Sequence, residues 1–233
     1  MYHEYASGVR RGLPVGMGYF SVSFGFGAMA VSQGLSWLSA VAISATNLTS
    51  AGQFAGLTGI VAAATLLEII LTQVVINSRY ALMSLALSQR LGEKIGLLPR
   101  LAIAFFNTDE IFALAMDRKE PLTTPYLLGL GTLPFIGWTG GTLCGALAGS
   151  ILPEFLGSAL GIMLYGMFIA IVVPPAKTER AVAWAVGISL VLSCLFAWVP
   201  GLKEISGGIA IVLCTVVAAA ICAKCFPVEE DAL

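Results

Sequence analysis

The chain has 233 residues, 58% of them hydrophobic and 11% charged, with a formal net charge of -1. A soluble domain carries about 25% charged residues, so this chain cannot cover a water-facing surface. Its mean hydropathy of +0.92 and its recurring apolar runs of roughly 20 residues are the signature of membrane-spanning helices. The near-neutral balance excludes a basic nucleic-acid surface, and continuous rather than alternating apolar runs exclude a transmembrane β-barrel.

The first predicted helix covers about 13–32. Arg10 and Arg11, the apolar run after them and Ala28-Met29-Ala30 imitate a signal peptide. Apolar segments continue along the whole chain, so this one reads as a first transmembrane helix. Its small residues, Gly16, Gly18, Gly25 and Gly27 beside Pro14, predict close helix packing.

Segment 37–64 is long enough to cross a membrane, yet its centre holds Thr46, Asn47, Thr49, Ser50, Gly52 and Gln53. Its apolar flanks, 37–45 and 54–64, are each only about 13–17 Å long at 1.5 Å per residue, roughly half the hydrocarbon thickness. Two half-helices meeting at an unwound link, 46–53, explain this pattern. An unbroken helix with a polar packing seam also fits it. Irregular backbone at that depth is tolerated only inside protein or beside a water-filled cavity, and helix breaks of this kind form substrate sites in secondary transporters.

Segment 66–88 follows and carries Glu68, Asn77 and Arg79. Segment 101–116 is short and holds Asn107, Thr108, Asp109 and Glu110. Charged groups inside apolar segments cost about 2.5 kcal/mol or more, which makes Glu68, Arg79 and Asp109 functional candidates. Glu68 and Arg79 are eleven residues apart, on one helix face but about 16 Å apart along it. Asp109 and Glu110 point about 100° apart on a helix, and Asp109, after Asn107 and Thr108, is the candidate for the interior.

The remaining apolar segments are 124–149, 154–174, 181–199 and 205–224. In the first of these, Gly137, Gly141, Gly145 and Gly149 repeat every fourth residue. They form one smooth face that admits another backbone, and Gly157 and Gly161 repeat the pattern. Cys222 and Cys225 form a C-x-x-C. The lone histidine, His3, is far away in sequence, so they read as small packing residues rather than as a zinc site. No G-x-x-x-x-G-K-[ST] motif is present for ATP binding. Neither a cofactor nor a metal is expected, and no His-based catalytic set is possible inside the membrane, so the chain does not read as an enzyme.

Lys and Arg favour the cytoplasmic side of short loops. If all eight segments cross, the link with Arg90, Lys94 and Arg100 falls outside. If 37–64 and 101–116 each enter and return on the same side, Arg10, Arg11, Arg90, Lys94, Arg100, Arg118, Lys119, Lys177, Arg180 and Lys224 share the cytoplasmic face. Only Lys203 is then opposite. The second arrangement fits the charge rule far better. The sequence therefore predicts one integral membrane transporter domain, 1–233, in an all-α polytopic fold. About six full transmembrane helices accompany two broken or re-entrant segments, 37–64 and 101–116, with both termini cytoplasmic and lipid around the whole.

"RRGLPVGMGYFSVSFGFGAMA" (10–30), "SAGQF" (50–54), "NSRYALMSLALS" (77–88) and "NTDEIFALAM" (107–116) occur in this order. Together they resemble the AzlC family of branched-chain amino acid permeases, which includes the YgaZ type. The resemblance implies export of branched-chain amino acids across a prokaryotic cytoplasmic membrane and a separate small AzlD-like membrane subunit. The family usually has His where Tyr80 stands and often Ala where Gly52 stands, so a proton relay through that His would be missing here. With the site read from the residues, Thr46, Asn47, Ser50, Gly52, Gln53, Asn107 and Asp109 are the substrate-binding candidates. Glu68, Asn77 and Arg79 are the coupling or gating candidates. The substrate carboxylate is expected on the half-helix that starts near Gln53 and the ammonium on carbonyls of the preceding half-helix or on Asp109. Phe24, Phe54 and Phe106 are candidates for the aliphatic pocket.

Overall fold

A computed structural model describes residues 1–91, 95–149, 169 and 172–227. The described residues are overwhelmingly helical: α1 (Tyr2–Ser32), α2 (Trp37–Thr46), α3 (Ala51–Val61), α4 (Leu66–Arg90), α5 (Leu97–Phe105), α6 (Asp109–Met116), α7 (Thr124–Gly149), α8 (Arg180–Trp198) and α9 (Gly207–Cys225). Five of these, α1, α4, α7, α8 and α9, are long and apolar enough to cross a membrane. The two segments with polar centres are broken, at 47–50 between α2 and α3 and at 106–108 between α5 and α6. Segment 154–174, with Gly157 and Gly161, falls largely outside the described residues, as do Lys94 and the surroundings of Gly149.

The helices start and stop for local reasons. Ser36, Thr108 and Ser206 cap α2, α6 and α9, each side-chain oxygen accepting the N–H three residues on, a group that a helix start otherwise leaves unpaired. α1 closes where Gly34 takes φ +95° and donates to the Val31 carbonyl, a conformation glycine adopts without a Cβ penalty. α1 starts eleven residues earlier than the apolar pattern indicates. Gly8 and Gly12 press on the α7 backbone at Tyr126 and Leu130, so packing carries the helix through its charged first turns.

The chain divides into two compact units. The first comprises Met1–Phe54 and Asn77–Leu164, and is built on α1 against α7. A Cβ at Gly16 would lie 2.7 Å from the Leu133 carbonyl oxygen. Gly137 meets the backbone of Gly16, Gly141 that of Phe20 and Gly145 that of Phe24. The partner of these three ladder glycines is therefore α1 of the same chain. The paired numbers rise together, so α1 and α7 are parallel.

The ends of the other helices then follow. Glu4, at the start of α1, accepts from Arg118 Nη2 at 2.8 Å and Thr123 Oγ1 at 3.0 Å. Arg90, at the end of α4, donates to the Met116 carbonyl at 2.6 Å and the Arg118 carbonyl at 2.9 Å, and Leu91 bridges Leu122. The start of α1, the end of α4, the end of α6 and the start of α7 thus gather at one face, and α4 runs against α1 and α7. The chain leaves α1 at the opposite face and runs through α2 to the first break. α5–α6 goes in from the first face and returns to it. Arg11, paired with Asp117, Arg90 and Arg118 sit together on that face.

The second unit comprises Ala55–Ile76 and Tyr165–Leu233. Within it, Gly56 faces Gln73 and Gly59 faces Ile69, an antiparallel pairing of α3 with the start of α4. α8 and α9 are also antiparallel, through Ala181 with Cys222 and Ser193 with Cys214. α8 buries none of its residues, and Trp184, Leu190, Val191 and Trp198 are exposed, as suits a surface solvated by lipid tails.

Candidate functional site: two helix breaks

The breaks approach each other inside the first unit, entered from opposite faces, and α4 passes both. Tyr80 donates its hydroxyl to the Thr49 carbonyl at 3.2 Å and accepts from Arg79 Nη2 at 3.2 Å. Arg79 forms an ion pair with Asp109, the first residue of α6. Asn77 lies against Gly52, where an added Cβ would be 2.8 Å from Asn77 Oδ1 and 2.7 Å from Thr49 Oγ1. About two turns further on, Ser84 accepts from Asn107 Nδ2 at 3.0 Å. Residues 77–84 of α4 therefore join the first break to the second.

The first break is held by a buried neutral network. Gln53 is 1% exposed. Its Nε2 donates to Ser44 Oγ at 2.5 Å and its Oε1 accepts from Trp138 Nε1 at 2.9 Å. Ser44 in turn shares a 2.7 Å bond with Thr142. Both ends of the carboxamide are thus committed to α2 and α7. Asn47 ends α2, and its Oδ1 accepts from Thr49 Oγ1 at 2.7 Å. Thr46 Oγ1 bonds back to the Ala42 carbonyl at 2.7 Å. Ser50 stands at φ 49°, a left-handed conformation uncommon for a residue with a Cβ, of the kind that clusters where structure is functionally constrained.

The second break is charged. Asp109 and Glu110 lie at the start of α6, where a helix dipole favours negative charge, and they turn to different partners. Asp109 faces Arg79. Glu110 Oε2 accepts from the Tyr19 hydroxyl at 2.5 Å, and Tyr19 also lies 2.7 Å from Thr108 Oγ1. Tyr19 packs edge-on against Trp138 at 5.2 Å, which links the charged break to the neutral one. One guanidinium and two carboxylates leave this cluster one negative charge in excess. α3 and α6 both begin here, so the positive ends of two helix dipoles lie at the same region.

Not every residue named from sequence joins this cluster. Glu68 lies in the second unit, in a cavity of about 300 Å³ with Thr72, Gln73 and Gly208. Phe54 packs on Phe26, while Phe106 packs on Phe105 and Phe135, so these rings belong to different clusters. Tyr19, Ser44, Trp138 and Thr142 lie outside the polar segment centres. Only the polarity of Ser44 and Thr142 on apolar helices marks them in the sequence. No group of three or more His, Cys, Asp or Glu side chains able to hold a metal occurs among the described residues.

Comparison with known proteins adds an independent line. The family model described as AzlC protein matches residues 14–152, a span that contains both breaks and α7. An uncharacterized membrane protein of Archaeoglobus fulgidus is 32% identical over 79% of this chain and 83% of its own. An uncharacterized membrane protein of Helicobacter pylori J99 is 28% identical over 77% and 79%. The inner membrane protein YgaZ of Escherichia coli K12 is 26% identical over 76% and 75%. No solved structure matches.

Proposed function

The chain belongs to the AzlC family, and from that premise and the geometry of the breaks we propose that it is a secondary transporter. It exports branched-chain, hydrophobic amino acids across the prokaryotic cytoplasmic membrane together with a small AzlD-like subunit. The face that gathers Arg11, Arg90 and Arg118 is the cytoplasmic one by the charge rule, which puts the N-terminus inside.

The observation that carries this reading is the meeting of two oppositely entered helix breaks at the Arg79–Asp109 ion pair. Discontinuous helices meeting at a polar centre are how secondary transporters bind a substrate that must be reached from either side. A zwitterion complements both members of the pair. Its carboxylate takes Arg79, near the positive end of α3, and its ammonium takes Asp109 and offsets the excess negative charge. Thr46, Asn47, Ser50, Gly52, Gln53 and Asn107 shape the backbone around it, and Asn77 and Arg79 change partners as the site turns from one face to the other.

Leucine counterflow in proteoliposomes holding the chain and its partner tests the reading. Saturable uptake accelerated by leucine on the opposite side is expected. Flux that rises linearly with concentration and shows no acceleration would make the protein a passive channel. Export from cells with and without the small subunit then tests whether the subunit is required.

A further inference from the structure

The first two turns of α4 present two faces. Leu66, Leu67, Ile70 and Leu71 are exposed, as lipid-facing residues are. Glu68, Ile69, Thr72 and Gln73 instead line a cavity of about 300 Å³ within the second unit. α3 contributes the small residues Ala55, Gly59 and Ala62, spaced i, i+4, i+7 on one helix face. The start of α9 closes the cavity with Gly208 and Ile211.

Glu68 is the only charged residue in this lining. It is half-buried. Among the described residues it has no ion pair, whereas Glu4, Asp109, Asp117 and Glu120 each have one. The start of α9 compensates it in part. A Cβ at Gly208 would lie 2.8 Å from Glu68 Oε1, so glycine there lets the positive end of the α9 dipole approach the carboxylate. A helix dipole offsets only part of the cost of a charge in a membrane segment. A cation in the cavity supplies the rest.

The cavity selects the kind of cation. A metal ion takes several ligands, and no group of three or more His, Cys, Asp or Glu able to hold one occurs among the described residues. Ser206 Oγ is committed to the Ile209 N–H of its own helix, and Thr72 Oγ1 is buried out of reach. The lining thus offers one carboxylate among mostly aliphatic walls, in a volume at the lower end for small-molecule sites, about 300 Å³. An ammonium group on a short aliphatic body fits both. No Lys or Arg is present to take a carboxylate, so selection falls on the ammonium.

We propose that this cavity binds a small aliphatic amino acid by its ammonium group, on the Glu68 carboxylate, as a second site about 16 Å along α4 from Arg79. Its place in the path rests on the transport reading, on which it is the later stop, at the end of α4 away from Arg90. Binding does not rest on that reading.

The test is thiol protection in the purified full chain. Ala62 is exposed and lines the cavity. Ala62→Cys is placed in a chain whose five native cysteines are replaced, and its labelling by a maleimide is followed. Leucine and isoamylamine, which keeps the ammonium and lacks the carboxylate, are each expected to slow labelling at least fivefold. 4-Methylpentanoate, which lacks the ammonium, is expected to leave it unchanged. Glu68→Gln should abolish protection. Ile211→Phe, which fills the cavity and leaves the carboxylate, should abolish it as well and serves if the glutamine variant fails to fold. Asp109→Asn should keep protection, because the two sites are separate. Equal protection by 4-methylpentanoate or by sodium in place of potassium, or none by leucine, overturns the proposal. So does protection that survives Glu68→Gln or is lost in a folded Asp109→Asn chain. Leucine counterflow without protection sinks this site alone, whereas protection without counterflow upholds the site and sinks the transport reading.

Discussion

The two helix breaks are alike in outline and opposite in chemistry. Each joins two short helices, the two are entered from opposite faces, and each meets α4. The first is closed by neutral groups: Gln53, Ser44, Thr142 and Trp138 satisfy one another out of contact with solvent. The second is held by ionised groups that remain partly exposed, with Arg79 at 40% and Asp109 at 34%. A dry neutral network with every group paired resists rearrangement. A half-open ion pair can exchange one partner for a ligand at far lower cost. On the transport reading, the first break is the more rigid side of the site and the second the side that exchanges partners.

The sharpest way to break the comparison is all-or-none. If both segments are re-entrant from opposite faces, cysteines at their outer ends must label from opposite sides. Ala62→Cys, beside the start of α4, is expected to react with a membrane-impermeant thiol reagent in intact cells. Leu98→Cys, at the start of α5, should react only after the cells are opened. Labelling of position 62 from inside alone would make α2–α3 a full crossing and end the symmetry of the two breaks.

The next largest effect falls on the charged break. Asp109→Asn leaves Arg79 without its counter-charge, which costs about 2.5 kcal/mol or more within a membrane segment. Transport should fall about a hundredfold at normal protein levels. Glu110→Gln keeps a neutral acceptor for the Tyr19 hydroxyl and should lose about tenfold or less. Initial efflux rates of the two variants decide between the acids. A larger loss for Glu110→Gln would move the binding charge from Asp109 to Glu110.

A smaller effect is expected at the neutral break. Gln53→Ala removes two interhelical bonds, each worth about 0.6 kcal/mol on average in membrane proteins. Detergent-solubilised protein should lose about 1 kcal/mol of stability, and export should fall several-fold because α3 is no longer fixed to α7. A stability change with export untouched would show that the first break takes no part in the site.

The smallest effect concerns the backbone. Ser50→Gly relieves a left-handed residue that costs roughly 1 kcal/mol with a Cβ present, partly offset by the greater freedom of glycine in the unfolded chain. Thermal melting should shift upward slightly and transport should stay within about twofold of the parent. A large loss of transport would mean that the hydroxyl itself meets the substrate.

Much of this architecture is local and therefore written along the chain. Apolar length sets the helices, because in lipid a backbone segment must satisfy its own hydrogen bonds. The polar centres at 46–53 and 107–110 mark the breaks for the same reason, and the loop charges favour re-entry in the sequence alone. Family membership is legible in the same stretches, since "SAGQF" and "NTDEIFALAM" are the residues at the two breaks. Segments 124–149, 181–199 and 205–224 match α7, α8 and α9 to within two residues at either end.

Tertiary structure alone decided which groups meet. The glycine ladder announces close packing, but a smooth helix face carries no address. Only the fold shows that Gly137, Gly141 and Gly145 lie on α1 and that the two helices run parallel. Tyr19 with Glu110 and Trp138 with Gln53 are separated by 91 and 85 residues, and nothing in their local periodicity links them. Glu68 and Arg79 share a helix and a face, as their spacing requires. Yet Glu68 falls among the cavity residues of the second unit and Arg79 on Asp109 in the first. Helical periodicity fixes direction around one axis, whereas the partner met in that direction depends on how every other helix packs.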